Sequence, residues 1–234
     1  MALPCDTMPA PLVLIHGGGL DASSWDLLVP HLQRPVLAVD LPGRGAHPAD
    51  PASVTLAGAA ASVVADIDAA GFESVVLVGH SLAGCSMPAM IGLLGSRVEH
   101  AVFIACTVPE DGTSSFSTLD PAFLAKLGEG GLTDGGITRE LFANDLDDEQ
   151  YEWFLDHRVG EASGLVMEAV DLAPLRAPFP RTWVRTVHDV IIPPAKQMRF
   201  VGNVGGGCAV VDIDAAHMCM ISQPKALAAI LNAI

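Results

Sequence analysis

A chain of 234 residues, half of them apolar and only 17% charged, is the size of one α/β domain around a single sizeable core and too apolar to be disordered. A net charge of −15 leaves no basic patch to neutralise phosphates, which argues against nucleic acid or an anionic membrane as partner and says little about a small neutral substrate. Five scattered cysteines (Cys5, Cys85, Cys106, Cys208, Cys219) show no C-x-x-C pair and no metal-ligand spacing, so neither a disulfide framework nor a zinc site is expected, and a reducing compartment is.

Met1 to Pro11 lacks the basic and apolar regions of a leader, and no apolar run approaches a membrane span; the expected location is the cytoplasm. Leu12-Val13-Leu14-Ile15 is a continuous apolar run, as for a strand buried on both faces, and leads into His16-Gly17-Gly18-Gly19. Val36 to Val39 repeats the pattern before the turn cluster Asp40-Leu41-Pro42-Gly43-Arg44-Gly45. An Ala-rich helix is predicted from Thr55 to Ala70, stopped by Gly71.

The strand Val75 to Val78 then runs straight into Gly79-His80-Ser81-Leu82-Ala83, followed by the small-residue stretch Gly84 to Ala89. This is the G-x-S-x-[GA] pattern of a strand, a sharp turn with serine at its apex, and a helix. Neighbours two positions either side need almost no side chain, or the backbones collide. The turn lifts the hydroxyl from the sheet edge and aims the following N–H groups and a helix N-terminus at one point.

Val98 to Cys106 reads as another buried strand. From Val108 to Pro180 that pattern stops: a glycine-rich stretch, Gly128 to Gly136, is predicted flexible, and Asp147 with Gln150 resembles a capping box for a helix through Tyr151, Trp153, Phe154 and Leu155. Two further strands, Thr182 to Val187 and Ala209 to Ile213, and an apolar-faced helix, Lys225 to Ile234, close the chain. The alternation predicts an α/β fold with a mostly parallel, doubly wound sheet. Residues 1–107 and 181–234 form the expected core, with 108–180 inserted as a helical cap on one domain.

A serine nucleophile needs a base, and the base needs a carboxylate that holds one tautomer. Of eight histidines, His217 sits in a loop at the carboxyl end of a predicted strand, where such sheets place chemistry. Asp189, directly after the strand Thr182 to Val187, is the expected acid, with Asp212 and Asp214 as rivals. His188 would point away from that acid, and His16 and His80 belong to glycine motifs that shape the site. The N–H groups of Leu82 and Gly18 are the expected oxyanion donors. Gly17, Gly19, His80, Trp153 and Met218 are expected at the substrate.

Together, His16-Gly17-Gly18-Gly19 with Ser24-Trp25, the stretch Val39 to Gly45, Gly79 to Gly84, and His217-Met218-Cys219-Met220-Ile221-Ser222-Gln223-Pro224 resemble the α/β-hydrolase superfamily. More narrowly they resemble the branch of plant methylesterases, such as the salicylate-binding esterases, and hydroxynitrile lyases. Asn144-Asp145 and Pro180-Arg181-Thr182-Trp183 extend the likeness over nearly the whole chain. The resemblance implies a triad on Ser81, Asp189 and His217, oxyanion donors on Gly18 and Leu82, and no metal or organic cofactor. The lyases of that branch carry a threonine at the position of Gly17 and a lysine at that of Met218, and neither residue here could do that work. The expected activity is therefore hydrolysis of a small, largely apolar ester. A thioesterase or lactonase, a cofactor-free cyclase or dioxygenase using only the His/Asp pair, and a receptor without turnover stay open. The partner expected is a small molecule, and a homodimer is compatible with the chain.

Overall fold

The computed structural model of the chain describes residues 9–121 and 135–234. Cys5, most of Met1–Pro11 and the glycine-rich run up to residue 134 lie outside the described residues, while Gly135 and Gly136 open a helix.

Six strands build one sheet: β1 (Leu12–Ile15), β2 (Val36–Val39), β3 (Val75–His80), β4 (Val98–Ile104), β5 (Arg181–Thr186) and β6 (Cys208–Ile213). Their order is β2-β1-β3-β4-β5-β6, and every pairing is parallel. The chain enters beside the middle of the sheet, takes β2 to one side and β3 to the other. The carboxyl ends of β1 and β3 thus flank the point where the winding reverses, the crevice in which open parallel sheets hold ligands.

Each central strand divides its side chains between two layers, because successive residues point to opposite faces. Val13, Ile15, Val75, Leu77 and Phe103 pack toward α1 (Leu56–Ala69), α2 (Ala83–Leu94) and α6 (Pro194–Val204). Leu12, Leu14, Val76, Val78 and Ile104 pack toward Trp25, α7 (Cys219–Ser222) and α8 (Pro224–Asn232). The edge strands differ from the fully buried strands expected: Val36 to Ala38 are half-buried, and Val210 and Val211 of β6 are exposed by 38% and 37%. The closing helix, expected over Lys225 to Ile234, is α8, which starts at Pro224 just after the short α7 ends at Ser222.

Helix α1 begins where Thr55 Oγ1 accepts the Gly58 N–H, and the chain turns away at Gly71, whose φ is +72°. Between β4 and β5 lie α3 (Gly135–Phe142), α4 (Asp148–Asp156) and α5 (Ser163–Met167). The capping box of α4 is present: Asp147 Oδ1 accepts the Gln150 N–H at 2.8 Å and Gln150 Oε1 accepts the Asp147 N–H at 3.1 Å. The apolar side chains of this insertion join the two existing layers, Leu165, Leu172 and Leu175 one of them, Leu146, Tyr151 and Phe154 the other. Among the described residues the insertion thus shares both apolar layers with the strands and helices around it.

Candidate active site

Ser81 links β3 to α2 with a φ of +52°, a backbone that side chains other than glycine rarely adopt. Three bonds hold it there. Its N–H donates to Ile104 O at 3.0 Å, and its carbonyl accepts from Thr107 N at 2.8 Å and Gly84 N at 3.1 Å. The small neighbours are required by contact: a Cβ on Gly79 would collide with Met87 Sδ, and one on Gly84 would stand 2.5 Å from Thr107 O. The left-handed geometry costs about 1–2 kcal/mol, which the surrounding bonds offset.

His217 follows β6, and its side chain is 2% exposed. Its Nε2 lies 3.0 Å from Ser81 Oγ, and its Nδ1 lies 2.7 Å from Asp189 Oδ2. A carboxylate only accepts, so the neutral ring carries its proton on Nδ1 and offers Nε2 to the serine hydroxyl. Asp189 is fully buried, yet it is well satisfied: Oδ1 accepts the N–H groups of Ile191 and Ile192, and Oδ2 also accepts from Thr186 Oγ1. Behind it stands Gln197 of α6, fully buried, donating to Thr186 Oγ1 and to the carbonyls of Thr186 and Ile192 while accepting from Trp183 Nε1. Sequence reasoning missed Thr186 and Gln197. The only local signal was a polar residue on an otherwise apolar helix face. The rival carboxylates are engaged elsewhere, Asp212 with Arg185 in a two-pronged pair and Asp214 with His188.

The loop after β1 is held against the serine by two buried histidines. His16 Nε2 accepts the Leu41 N–H at 3.1 Å, clamping the loop to the turn after β2, and its Nδ1 donates to Gly17 O. Burial, reinforced by the Arg44 guanidinium, lowers its pKa to about 4. His80 Nε2 donates to the carbonyl of His217, and burial followed by the neighbouring His217 holds His80 well below the ordinary histidine range. Both rings are neutral struts. Gly17 is packed so closely that a Cβ would lie 2.7 Å from His80 Nδ1 and 3.0 Å from Ser81 Cβ. The Gly19 N–H donates to Glu161 Oε2 at 2.8 Å, whereas those of Gly18 and Leu82 have no backbone acceptor among the described residues.

A cavity of about 480 Å³ opens on Ser81 and His217. Leu82, Phe142, Phe154, Val166, Ile192 and Met218 give it a mainly apolar wall, with Arg158, Glu161 and Lys196 at its polar margin. Gly18, Gly19, His80 and Met218 line it. Two expected substrate contacts are placed otherwise. Trp153 stacks on His157 at 3.9 Å, so the next residue along α4, Phe154, forms the wall. Gly17 backs onto His80 and Ser81 and borders a smaller crevice with His16 and Arg44. Among the described residues no group of three His, Cys, Asp or Glu side chains is placed to hold a metal ion, and no helix is long and apolar enough to cross a membrane.

The sequence model of the alpha/beta hydrolase family matches residues 12–230. The chain belongs to that family. Among relatives of this alpha/beta hydrolase, methylesterase 18 of Arabidopsis thaliana is 31% identical over 113 residues, covering 43% of this chain and 40% of that protein. Matches to the plant relatives span only 31% to 43% of those proteins' length. The pyrethroid hydrolase of Sphingobium wenxiniae is 24% identical over 247 residues, 93% of this chain and 84% of that one. In fold, the alpha/beta hydrolase resembles an extracellular α/β-hydrolase from a Paenibacillus species, described as sharing structural and functional homology with tobacco salicylic acid binding protein 2. The TM-score is 0.84 at 22% identity, over 95% of this chain and 98% of that one. The resemblance to plant methylesterases read from the motifs is thus found again in matches that span 43% to 44% of this chain.

Proposed function

We propose that this alpha/beta hydrolase is a serine esterase that cleaves a small, largely apolar carboxylic ester without a cofactor. The observation that carries the reading is the continuous hydrogen-bonded series Ser81–His217–Asp189 at the wall of a mainly apolar cavity. Ser81 Oγ attacks the ester carbonyl as His217 Nε2 takes its proton, and the buried Asp189 carboxylate stabilises the imidazolium. The N–H groups of Gly18 and Leu82 receive the oxyanion, an interaction whose single-donor loss costs roughly 10²–10³-fold in kcat. His217 then protonates the departing alcohol, and water releases the acid by the reverse sequence.

Relatives named methylesterase and pyrethroid hydrolase support ester chemistry for this chain as well. The crowding at Gly17 speaks against the lyase reading, because a threonine there would press on His80. Residues 108–180 act in this reading as the cap that shapes the acyl pocket through Phe142, Phe154 and Val166. The unpaired Cys85, Cys106, Cys208 and Cys219 suit work in a reducing compartment such as the cytoplasm.

The test is a panel of methyl, aryl and thio esters assayed with wild type and Ser81→Ala. Turnover of a neutral ester is expected to fall roughly 10⁴-fold or more in the variant, with the fold intact. A variant retaining about a tenth of wild-type kcat would overturn the assignment and favour chemistry run by the His/Asp pair.

A further inference from the structure

A second ion pair, buried on its arginine side, sits beside the serine and takes no part in the steps above. Glu161, in the segment between α4 and α5, accepts the Gly19 N–H on Oε2 at 2.8 Å. Its Oε1 accepts from Arg44 Nη2 at 2.5 Å and from the N–H of Ala162 at 2.7 Å. The Arg44 side chain is 3% exposed and also donates through Nη1 to Leu20 O at 2.7 Å. The same strand of loop is gripped from its other side, where Gly19 O accepts the Val159 N–H at 2.9 Å. Gly19 itself has a φ of +68°.

These contacts join three stretches distant in sequence: the loop after β1, the turn after β2 and the insertion. The carboxylate lies next to Gly18 as well, for a Cβ on Gly18 would stand 3.1 Å from Glu161 Oε2 and 3.3 Å from Leu82 Cδ2. A bare carboxylate there would oppose any negative charge forming near the Gly18 and Leu82 N–H groups. The buried guanidinium cancels that field, so the pair can hold the loop without repelling the developing charge.

We propose that Glu161 is the positioning residue of the oxyanion loop, fixing Gly19 so that Gly18 presents its N–H beside Leu82, with Arg44 as its required counter-charge. The proposal rests on the serine-esterase reading for its kinetic part alone; the loop contact is tested independently of activity. Glu161→Gln keeps an oxygen to accept from Gly19, whereas Glu161→Met keeps the length and packing without an acceptor. We expect E161M to lower kcat roughly 10²-fold with KM changed by less than about threefold, and E161Q to stay within roughly tenfold of wild type. Arg44→Met, which strands the carboxylate, is expected to lower kcat by a similar roughly 10²-fold. The double variant R44M/E161Q should recover most of that loss, which a merely structural role for Arg44 would not allow.

Amide exchange at Gly19 supplies the readout that needs no ester. Protection is expected to be lost in E161M and kept in E161Q. Equal protection in wild type and E161M overturns the positioning role, even if the chain hydrolyses nothing. Equal losses of kcat in E161Q and E161M, or a loss carried by KM, overturn it on the kinetic side. Should E161M fail to fold, R44M and its double variant decide: wild-type activity in R44M, or no recovery in R44M/E161Q, refutes the proposal.

Discussion

Asp189 is fully buried and receives bonds from Ile191, Ile192, Thr186 and His217, so its geometry is fixed before any substrate arrives. Asp189→Asn presents an amide where His217 needs an acceptor-only group, and kcat is expected to fall about 10⁴-fold. Asp212→Asn and Asp214→Asn disturb only the pairs with Arg185 and His188, and steady-state kinetics should show less than a tenfold change for either. A crippled Asp214→Asn would relocate the acid.

His16 makes a different claim about acid. Its pKa is about 4 in the folded chain against 6.5 when free, so the unfolded chain binds its proton first as pH falls. Stability from this group is complete above pH 6.5 and is lost progressively down to about 4. Linkage puts the loss at about 2 kcal/mol at pH 5, and His80 shifts in the same direction. Urea midpoints measured at pH 7 and pH 5 should differ accordingly, and an unchanged midpoint would contradict the burial of these rings. The residues that carry motif geometry were legible in sequence because strand, turn and helix are contiguous at Ser81. Thr186, Gln197, Arg44 and Glu161 were not, since Arg44 and Glu161 meet only through tertiary packing across 117 positions.

At the scale of elements, the central strands were readable because burial on both faces writes a continuous apolar run. β6 carries a similar run, Ala209-Val210-Val211, but lies at the sheet edge with most of it exposed. Composition alone does not distinguish an edge from a centre. The Arg185–Asp212 pair across β5 and β6 places charge on that edge, a known deterrent to strand-by-strand association. Helix α5 shows a subtler constraint. Gly164 packs so tightly on the Val54 carbonyl that a Cβ would overlap it, and the adjacent Glu168 accepts the Leu56 N–H at the start of α1. Gly164→Ala is expected to cost about 1–3 kcal/mol in urea unfolding by pushing the insertion off α1. A neutral result would mean that α5 can shift freely there.

At the scale of the molecule, the charge of −15 acts on every approaching ligand. Neutral esters should show a KM independent of ionic strength. Esters carrying a carboxylate should bind more tightly as salt rises from about 10 mM to 0.2 M, because the Debye length shrinks from about 30 Å to less than 10 Å. A salt-independent KM for the anionic ester would show that local cations at the cavity, such as Arg158 and Lys196, outweigh the global field.

The two halves of the proposed machinery lie far apart along the chain. Ser81 and the loop after β1 come early in the chain, whereas Asp189 and His217 come late, with His217 136 positions after Ser81. In the proposed mechanism a ribosome therefore releases Ser81 long before His217 could activate it. On that proposed reading Ser81 is an ordinary alcohol throughout synthesis, and reactivity is expected only once the loop after β6 has emerged and docked. Nascent chains stalled before residue 217 should resist labelling by a fluorophosphonate, while chains released to full length should accept it. The nucleophile would then serve as its own reporter of completed folding.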